Sequence, residues 1–526
     1  MAGSQTCLSL ITAAICLFGA ENLSSARSPE REIRTRICYY KIELKVKANE
    51  SSFRGKVNIH AKILGHGDFI ELDLTSKAMV DSVLIDGRAV NYTLAYDKLR
   101  IIAPELGLAK SVDIKIGYTA GYGNDGLRMD AENNTIHISS YGLPFTARLW
   151  WPCKDKPSDK ADSADIIITA PKGLIAVSNG KLNRVTINRD STSTFYWSVR
   201  YPIYPDVISL AVGNYISFTR YYKNMPMVFY VFPEDKEKAE KDFRVLPEII
   251  KSHVKYFGEY PFINEKYGVA EFVTESYREH QTIPSLGKKY ITGEGKYERI
   301  LAHELAHQWF GNSLSVKSWS DVWLNEGFAT YAFALWKENS EGKEAYFKTI
   351  NSFNKKEFPG TVYVKDTTNT DSMFNAATFL KGALVLHMLR HVMSDQLFFS
   401  AIKKYVQKYT GKNVSTADFI KVCETNYGHS LGWFFNEWLH TSSRPQFDLR
   451  YTYTKTGNAY LVKLHLKQLQ NNGTIFKMPV DVQVNLKDGS SSKTVVWDNN
   501  ADQYFLIEVN QSPVSVTPDP DNWILK

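Results

Sequence analysis

Residues 301–312 read LAHELAHQWFGN, and this stretch decides how the rest of the chain is interpreted. His303 and His307 are four positions apart, so a helix presents both imidazoles on one face. Two zinc ligands would be aligned in this way. Glu304 follows the first histidine, where its carboxylate can reach a metal-bound water without joining the coordination shell, so it is the candidate general base. The alternative interpretation is a pair of ordinary, hydrogen-bonded helix histidines.

A catalytic zinc site needs a third protein ligand and an open fourth position for water. The segment WLNEGFATY (323–331) supplies Glu326, which completes a His/His/Glu set for one Zn²⁺ ion. We expect Gly311 and Asn312 to end the first helix and Asp321 to cap the second. Asp321 has another possible role, as the hydrogen-bond partner that orients a ligand histidine.

The hydrophobic pattern divides the chain into three parts after an N-terminal leader. From Ile37 to about Tyr221 apolar residues alternate, as in Val57, Ile59, Ala61 and Ile63, which predicts an all-β domain over 27–222. Helical spacing then predicts a mainly helical catalytic domain over 223–443, with helices at 299–310, 321–338, 376–393 and 396–409. Alternation returns in 444–526 and predicts a β-sandwich. The fold class is therefore multidomain α+β.

Charge and composition exclude two classes of function. The chain has 63 Lys and Arg against 56 Asp and Glu among its 526 residues, and the basic residues are scattered, which argues against nucleic-acid binding. Beyond the N-terminus no apolar run reaches the roughly 20 residues that span a bilayer, so no stable membrane span is expected. Cys38, Cys153 and Cys423 are too widely separated to suggest a disulfide framework. The pattern leaves the oligomeric state open.

The N-terminus indicates export from the cytosol. Residues 7–20 (CLSLITAAICLFGA) are apolar but too short for a membrane helix, and small residues follow at Ser24 and Ala26. This predicts a signal peptide over 1–26 and a secreted or periplasmic protein. An uncleaved anchor or an unprocessed hydrophobic terminus is the alternative.

The zinc motif and its context resemble the gluzincin aminopeptidases, commonly called the M1 family. HELAHQWFGN is followed by WLNEGFATY, with Glu326 nineteen positions after His307. Residues 147–161 (ARLWWPCKDKPSDKA) are similar to a motif of the family's first domain, and 519–525 (DPDNWIL) to the end of its third. The resemblance implies a β domain, a thermolysin-like catalytic domain and a β-sandwich, in a short form without the C-terminal helical domain and with a more open cleft. It also implies hydrolysis of peptides that have a free N-terminus.

The same resemblance implies a residue that binds the substrate's α-amino group. The family uses the glutamate of a Gly-Ala-Met-Glu-Asn loop, and Glu279 lies at the expected place, twenty-four positions before His303. A partly desolvated carboxylate there would pair with the ammonium. The rest of the loop (SYREHQT, 276–282) departs from the family pattern: Ser276, Tyr277, Arg278 and His280 replace Gly, Ala, Met and Asn. Arg278 would bring a cation near the pocket for the first side chain.

Two further departures from the family pattern concern catalysis. Relatives place a tyrosine two residues before a Lys-Gly pair, and its hydroxyl is thought to stabilise the oxyanion; here Phe379 precedes Lys381 and Gly382. Losing one oxyanion donor typically costs about 10² to 10³ in turnover, so activity could be low. If the alignment slips locally, Tyr363 is the candidate replacement. Leu143 stands where relatives have a Gln or Glu that also contacts the amine.

Three functions are consistent with these residues. The leading one is a zinc aminopeptidase in which Glu304 acts as general base. The second is a zinc-bearing pseudopeptidase that binds peptides, because Phe379 and Leu143 replace expected polar groups. The third is an endopeptidase, or a hydrolase of a non-peptide substrate, that uses the same metal.

Overall fold

The computed structural model describes residues 31–47, 50–106, 111–123, 125–132, 135–142, 144–470 and 473–526. The predicted signal peptide and Leu143 lie outside these residues.

The N-terminal region is built from strands in three sheets. These strands are β1 (Thr35–Lys45), β2 (Ser52–Ile63), β3 (Phe69–Asp73), β4 (Met79–Ile85), β5 (Arg88–Ala89), β6 (Tyr92–Ala95), β7 (Lys98–Ile102), β8 (Ser111–Gly121), β9 (Leu127–Glu132), β10 (Thr135–Ser140), β11 (Ser163–Pro171), β12 (Ile175–Ser178), β13 (Lys181–Ile187), β14 (Thr192–Val199) and β15 (Leu210–Gly213). The largest sheet has the order β13-β14-β11-β1-β2-β8-β4-β5. The others have the orders β12-β15-β10-β9 and β3-β7-β6.

The predicted alternation explains the large sheet. Val57, Ile59 and Ala61 of β2 are at most 1% exposed, and their partners on β8 are Ile116, Ile114 and Val112. The side chains between them are partly or fully exposed. Because successive side chains in a strand point to opposite faces, one apolar face packs into the core and the other meets solvent.

The middle region combines a mixed sheet with helices. Its strands are β16 (Ile216–Tyr222), β17 (Met225–Val231), β18 (Tyr267–Phe272), β19 (Tyr277–Arg278), β20 (Ser285–Gly287), β21 (Ser315–Val316) and β22 (Asn413–Val414). Its helices are α1 (Lys236–Asp242), α2 (Leu246–Phe257), α3 (Glu298–Ala306), α4 (Trp323–Glu341), α5 (Lys343–Phe353), α6 (Thr370–Met373), α7 (Gly382–Met393), α8 (Asp395–Tyr409), α9 (Thr416–Tyr427) and α10 (Gly432–Leu439). A π-helical turn spans Ala377–Lys381.

Short 3-10 turns occur in both the N-terminal and the middle region. They span Ala147–Leu149, Pro205–Val207, Pro233–Asp235, Phe243–Val245, Lys288–Tyr290 and Trp319–Asp321.

The five-stranded sheet of this region has the order β16-β17-β18-β20-β19. Its first strand, β16, lies inside the span 27–222 that the sequence pattern assigned to the preceding β domain. β16 joins the five-stranded sheet because it forms a hairpin with β17, in which Ile216 lies opposite Val231 and Tyr222 lies opposite Met225. Alternation alone does not show which sheet a strand joins.

Two predicted helix boundaries are wrong. The first metal helix, α3, ends at Ala306 rather than at Phe310, so His307 is its C-cap residue with helical backbone angles. The second, α4, begins at Trp323 after a 3-10 turn. Asp321 does not cap it, because its Oδ1 accepts hydrogen bonds from the backbone N–H and the hydroxyl of Thr416, at 2.9 and 2.7 Å. These bonds attach the start of α9 to the loop before α4.

A contact between two glycines sets how closely α4 and α7 pack. A Cβ atom at Gly327 would lie 3.0 Å from the carbonyl carbon of Gly382, and a Cβ at Gly382 would lie 3.1 Å from the Cα of Gly327. A larger residue at either position would push the two backbones apart by a few tenths of an ångström. Because Glu326 precedes Gly327 and the π-helical turn precedes Gly382, the crossing brings both segments to one place.

The C-terminal region forms a β-sandwich of two sheets. Its strands are β23 (Phe447–Thr456), β24 (Ala459–Gln468), β25 (Met478–Leu486), β26 (Ser491–Asp498), β27 (Asp502–Val509) and β28 (Pro513–Pro518). The sheet orders are β23-β24-β27 and β26-β25-β28. Trp523 connects the sandwich to α7, because its ring stacks on His387 with centroids 4.6 Å apart.

Within the described part of the chain, one helical stretch has the length and apolarity needed to cross a bilayer. This stretch is Thr370–Met393, and 67% of its most apolar window is buried inside the protein. A helix in the core of a folded domain has the same properties.

Candidate active site

Three side chains converge as metal ligands in the pattern that the sequence predicted. The Nε2 atoms of His303 and His307 are 3.0 Å apart, and Oε2 of Glu326 lies 3.4 Å from the first and 3.5 Å from the second. Zinc–ligand bonds of about 2.0–2.1 Å in a tetrahedral site require ligand atoms about 3.3–3.4 Å apart. The triangle therefore matches one face of a zinc tetrahedron.

The chemistry of this donor set also fits zinc. Nδ1 of His307 lies 3.0 Å from the carbonyl oxygen of Phe310 and donates to it, because a carbonyl can only accept. The ring therefore presents the lone pair of Nε2 to the other two ligands. Gly311 has a φ of +122°, and a Cβ atom there would lie 3.2 Å from His307 Nδ1. Glycine thus keeps this imidazole uncrowded.

Glu304 lies beside the ligands and is 3% exposed. One of its carboxylate oxygens and the ligand nitrogens of both histidines are all within 4.8 Å of one another. Oε2 of Glu304 is buried and has no hydrogen-bond partner among the described residues. An orphaned buried oxygen of this kind fits a site that receives a water molecule or a substrate group.

The two buried carboxyl groups titrate differently in the metal-free protein. Burial raises the pKa of Glu304 to about 8. Burial also acts on Glu326, but the neighbouring imidazoles of His307 and His303 outweigh it and hold its pKa at about 2. Glu326 is therefore the permanently charged ligand, and Glu304 is able to exchange a proton near neutral pH. A bound dication would lower the pKa of Glu304 again.

The loop that carries Glu279 is tied to the end of the metal helix. Asn312 donates through Nδ2 to the carbonyl of Glu279 at 2.7 Å. Gln308 accepts from the backbone N–H of Thr282 at 2.7 Å and donates to the carbonyl of His280 at 3.3 Å. These bonds hold the loop in a constant position relative to His307.

Glu279 itself faces the metal ligands. Burial raises the pKa of its carboxyl group, while His307 acts in the opposite direction and Glu326 adds to the rise. The residue is partly exposed, whereas the next residue, His280, is 1% exposed. Glu279 therefore lies within electrostatic reach of His307 and Glu326.

The N-terminal region forms hydrogen bonds with the segment that holds the Glu279 loop. Lys160, in the segment 147–161, donates through Nζ to the carbonyls of Asn312 and Ser313 at 2.7 and 2.6 Å. Asn312 is the residue that holds Glu279. The β domain is thus linked to the Glu279 loop through one lysine and one asparagine.

Phe379 lies on the π-helical turn against a metal ligand. Its ring is nearly parallel to that of His303, with an angle of 11° and a centroid distance of 5.9 Å. Tyr363 lies elsewhere: its backbone N–H donates to Leu439 and its ring packs on His440. The aromatic side chain beside His303 is therefore one without a hydroxyl group, and the sequence register set by Lys381 and Gly382 agrees with this placement.

Two tyrosines near the site were missed by sequence reasoning. Burial, assisted by the charge of Glu304, raises the pKa of Tyr277 to about 12. Burial, assisted by Glu279, also raises the pKa of Tyr204 well above its ordinary value. Tyr277 was detectable, because it lies only two residues before Glu279 in the sequence. Tyr204 had no comparable signal, because it reaches the site from the N-terminal region.

Comparisons with known proteins give the same assignment from both halves of the chain. The Peptidase M1 N-terminal domain model matches residues 37–204, and the Peptidase family M1 domain model matches residues 277–438.

Two curated relatives are aminopeptidases by name. A probable aminopeptidase 1 from Sulfurisphaera tokodaii is 24% identical over 464 residues, which cover 84% of this chain and 57% of that protein. The glutamyl aminopeptidase of Sus scrofa is 28% identical over 325 residues, which cover 57% of this chain and 34% of that protein. This chain therefore spans little more than half of the first relative and about a third of the second.

Two solved structures share the fold. Aminopeptidase A from Legionella pneumophila, in complex with aspartic acid, superposes with a TM-score of 0.83 at 17% identity, covering 94% of this chain and 60% of that one. A mutant M1 zinc metallopeptidase from Deinococcus radiodurans, bound to a Tyr-Ser-Ala substrate, gives 0.66 at 23% identity, covering 78% of this chain and 95% of that one. Together the two family models match more than half of the 526 residues, and the chain belongs to peptidase family M1.

Proposed function

We propose that this chain is a zinc-dependent aminopeptidase that binds one metal ion and removes N-terminal residues from peptides. The observation that carries the proposal is the ligand triangle of His303, His307 and Glu326 beside a buried, unpartnered Glu304 oxygen. A helix histidine pair without a metal function would not need a third, charged side chain at tetrahedral spacing.

The roles of the side chains follow from their positions. A bound zinc ion supplies Lewis acidity, which polarises a carbonyl and lowers the pKa of a bound water. Glu304 accepts the proton of the attacking water and delivers it to the leaving amine. Glu279 pairs with the substrate ammonium, and the bonds from Gln308 and Asn312 keep it at a constant distance from the ligands. The enzyme thereby measures the substrate from its free end.

Glu304→Gln tests the catalytic role directly. It keeps the size of the side chain but removes the base, and general bases typically contribute about 10² to 10⁴ in rate. We expect zinc-loaded Glu304→Gln to lose at least about 100-fold in kcat on aminoacyl chromogenic substrates, with its metal content unchanged. Equal rates for wild type and variant would remove the proposed chemistry.

Acetylated substrates separate exopeptidase from endopeptidase activity. Acetylation removes the ammonium charge that Glu279 would bind, so an aminopeptidase should lose nearly all of its rate. Unchanged cleavage of an acetylated peptide by the wild-type protein would instead favour an endopeptidase and would leave Glu279 without the proposed role.

A peptide-binding pseudopeptidase is the second candidate function, and the placement of Phe379 against His303 favours it. In that case the zinc-loaded wild type would bind peptides with a free N-terminus and would hydrolyse none of them. Titration calorimetry with a short peptide, followed by mass spectrometry of the recovered peptide, distinguishes the two candidates.

We further propose that the protein is exported. Support comes from the apolar residues 7–20 and the small residues that follow them. Mass spectrometry of the mature protein from its natural source should find an N-terminus close to residue 21 or 27. An intact Met1 would contradict the proposal.

A further inference from the structure

Arg278 is held rigidly beside the residue that we propose to bind the substrate amine. Its Nε donates to the carbonyl of Tyr141 at 2.8 Å, and Nη1 donates to the carbonyl of Tyr277 at 2.6 Å. The guanidinium also lies over the ring of Tyr141, 4.2 Å from its centroid. Two backbone carbonyls at the edges of the guanidinium and one aromatic ring on its face therefore determine its orientation.

The charge of Arg278 has no counter-ion among the described residues. Two other arginines with comparable or greater burial do have one: Arg148 pairs with Asp155, and Arg390 pairs with Glu338 and Asp395. The groups that hold Arg278 are all neutral. A partly buried cation is costly to keep without an anion, and an oriented guanidinium matches a carboxylate well. Arg278 thus has the properties of a preformed carboxylate site.

The position of Arg278 indicates which part of a substrate it meets. It precedes Glu279 in the chain, at the edge strand β19 of its sheet. The α-carbon of the first substrate residue carries the amine, the reacting carbonyl and the side chain. A cation adjacent to the amine anchor is therefore within reach of that side chain.

Lys289, a cation that follows the loop in the sequence, does not compete for the same role. Lys289 pairs with Glu275 at 2.8 Å, on the exposed outer side of the segment. Its charge is therefore already compensated, whereas that of Arg278 is not.

We propose that Arg278 makes this chain selective for peptides whose N-terminal residue is aspartate or glutamate, by pairing its guanidinium with the side-chain carboxylate. The inference rests on the proposed aminopeptidase function, because it assigns the preference of that same site. Glutamine has the size of glutamate without its charge, so the comparison of these two residues isolates the contribution of the pair.

The test compares otherwise identical substrates that begin with Glu or Gln. A charge-assisted pair predicts a Glu/Gln ratio in kcat/KM of about 10 to 100 for the wild type. Arg278→Gln should bring the ratio close to one. Arg278→Lys should retain part of it, since lysine keeps the charge but lacks the planar guanidinium that donates two parallel hydrogen bonds to a carboxylate. Arg184→Gln is the matched control, because Arg184 also stacks on a tyrosine, Tyr196, but lies in the N-terminal β-sheet region. It should keep the wild-type ratio.

A wild-type ratio at or below one, or an unchanged ratio in Arg278→Gln, would overturn the proposal. A purely structural role of Arg278 would change the rates for both substrates and leave their ratio intact. If the wild type hydrolyses neither substrate, the proposed function fails while the preference stays testable. Calorimetry with free glutamate and glutamine on the zinc-loaded protein should then show tighter binding of glutamate, lost in Arg278→Gln, and equal binding would refute the inference.

Discussion

Replacing Phe379 with tyrosine adds one hydroxyl group at the edge of the metal site and should raise turnover. The ring already lies parallel to His303, so the substitution keeps the existing packing. Phe379 is partly exposed, and the new hydroxyl can stay hydrated when no substrate is bound. Little cost in stability is therefore expected.

The size of the effect follows from the chemistry of the missing donor. One oxyanion hydrogen bond is worth about 10² to 10³ in kcat where the surrounding site has been optimised for it. Because the neighbours of Phe379 pack against a ring without a hydroxyl, we expect a smaller gain, of about 10- to 100-fold, or about 1.4–2.7 kcal/mol of transition-state stabilisation. KM should change by less than about threefold, since the bond forms mainly in the transition state.

The assay measures kcat and KM of the zinc-loaded wild type and Phe379→Tyr on one aminoacyl substrate. Phe374→Tyr is the matched control, because Phe374 packs on Phe379 and Trp319 rather than on a metal ligand. A folded, metal-loaded Phe379→Tyr protein with wild-type kcat would refute the oxyanion reasoning. An equal rise in Phe374→Tyr would refute it as well, because the gain would then not depend on the position beside His303.

Two further predictions concern the metal and the response to acid. Glu326→Ala removes one corner of the ligand triangle and should weaken zinc binding. The loss should exceed the 10- to 100-fold that is typical when a group that only orients a ligand is removed. Zinc content after dialysis against a chelator measures this loss. Asp321→Asn should retain its zinc, because Asp321 bonds Thr416 instead of a ligand histidine, and equal zinc content in the two variants would contradict the assignment. Burial lowers the pKa of His387 to about 3, so its neutral form stabilises the fold above its ordinary pKa of about 6.5, and that contribution is lost as the pH falls toward 3. Denaturant titrations between pH 6.5 and pH 3 should show that the unfolding free energy of the wild type falls by up to about 4 kcal/mol more than that of His387→Gln. Parallel pH profiles of the two proteins would disprove the contribution.

The candidate metal ligands were readable from the sequence because their spacing depends on local geometry. His303 and His307 share one face of a single helical turn, which the spacing of four residues determines whatever the rest of the chain does. The position of Glu326 came from the second helix of the same short segment. The sheets of the N-terminal and C-terminal regions were readable for a similar reason, since the two-residue period of their apolar side chains reports one buried face.

Helix ends and long-range hydrogen bonds were not readable in this way. The hydrogen bonds that Thr416 donates to Asp321 join residues far apart in the sequence, and the end of α3 at Ala306 was not marked by a cap residue that the sequence identified. The assignment of β16 to the middle sheet likewise could not be read from alternation, because it follows from the hairpin that β16 forms with β17.

The sequence by itself therefore determined the candidate metal ligands, the candidate base and the three-part architecture, because short spacings and the periodicity of apolar residues carry that information. Only the tertiary structure decided what surrounds them: that the Glu279 loop is bonded to the metal helix, that Phe379 lies on His303, and that Arg278 has no counter-ion among the described residues. Such contacts join segments distant in sequence, and their energy depends on burial and on the groups that meet there. No local pattern records either quantity.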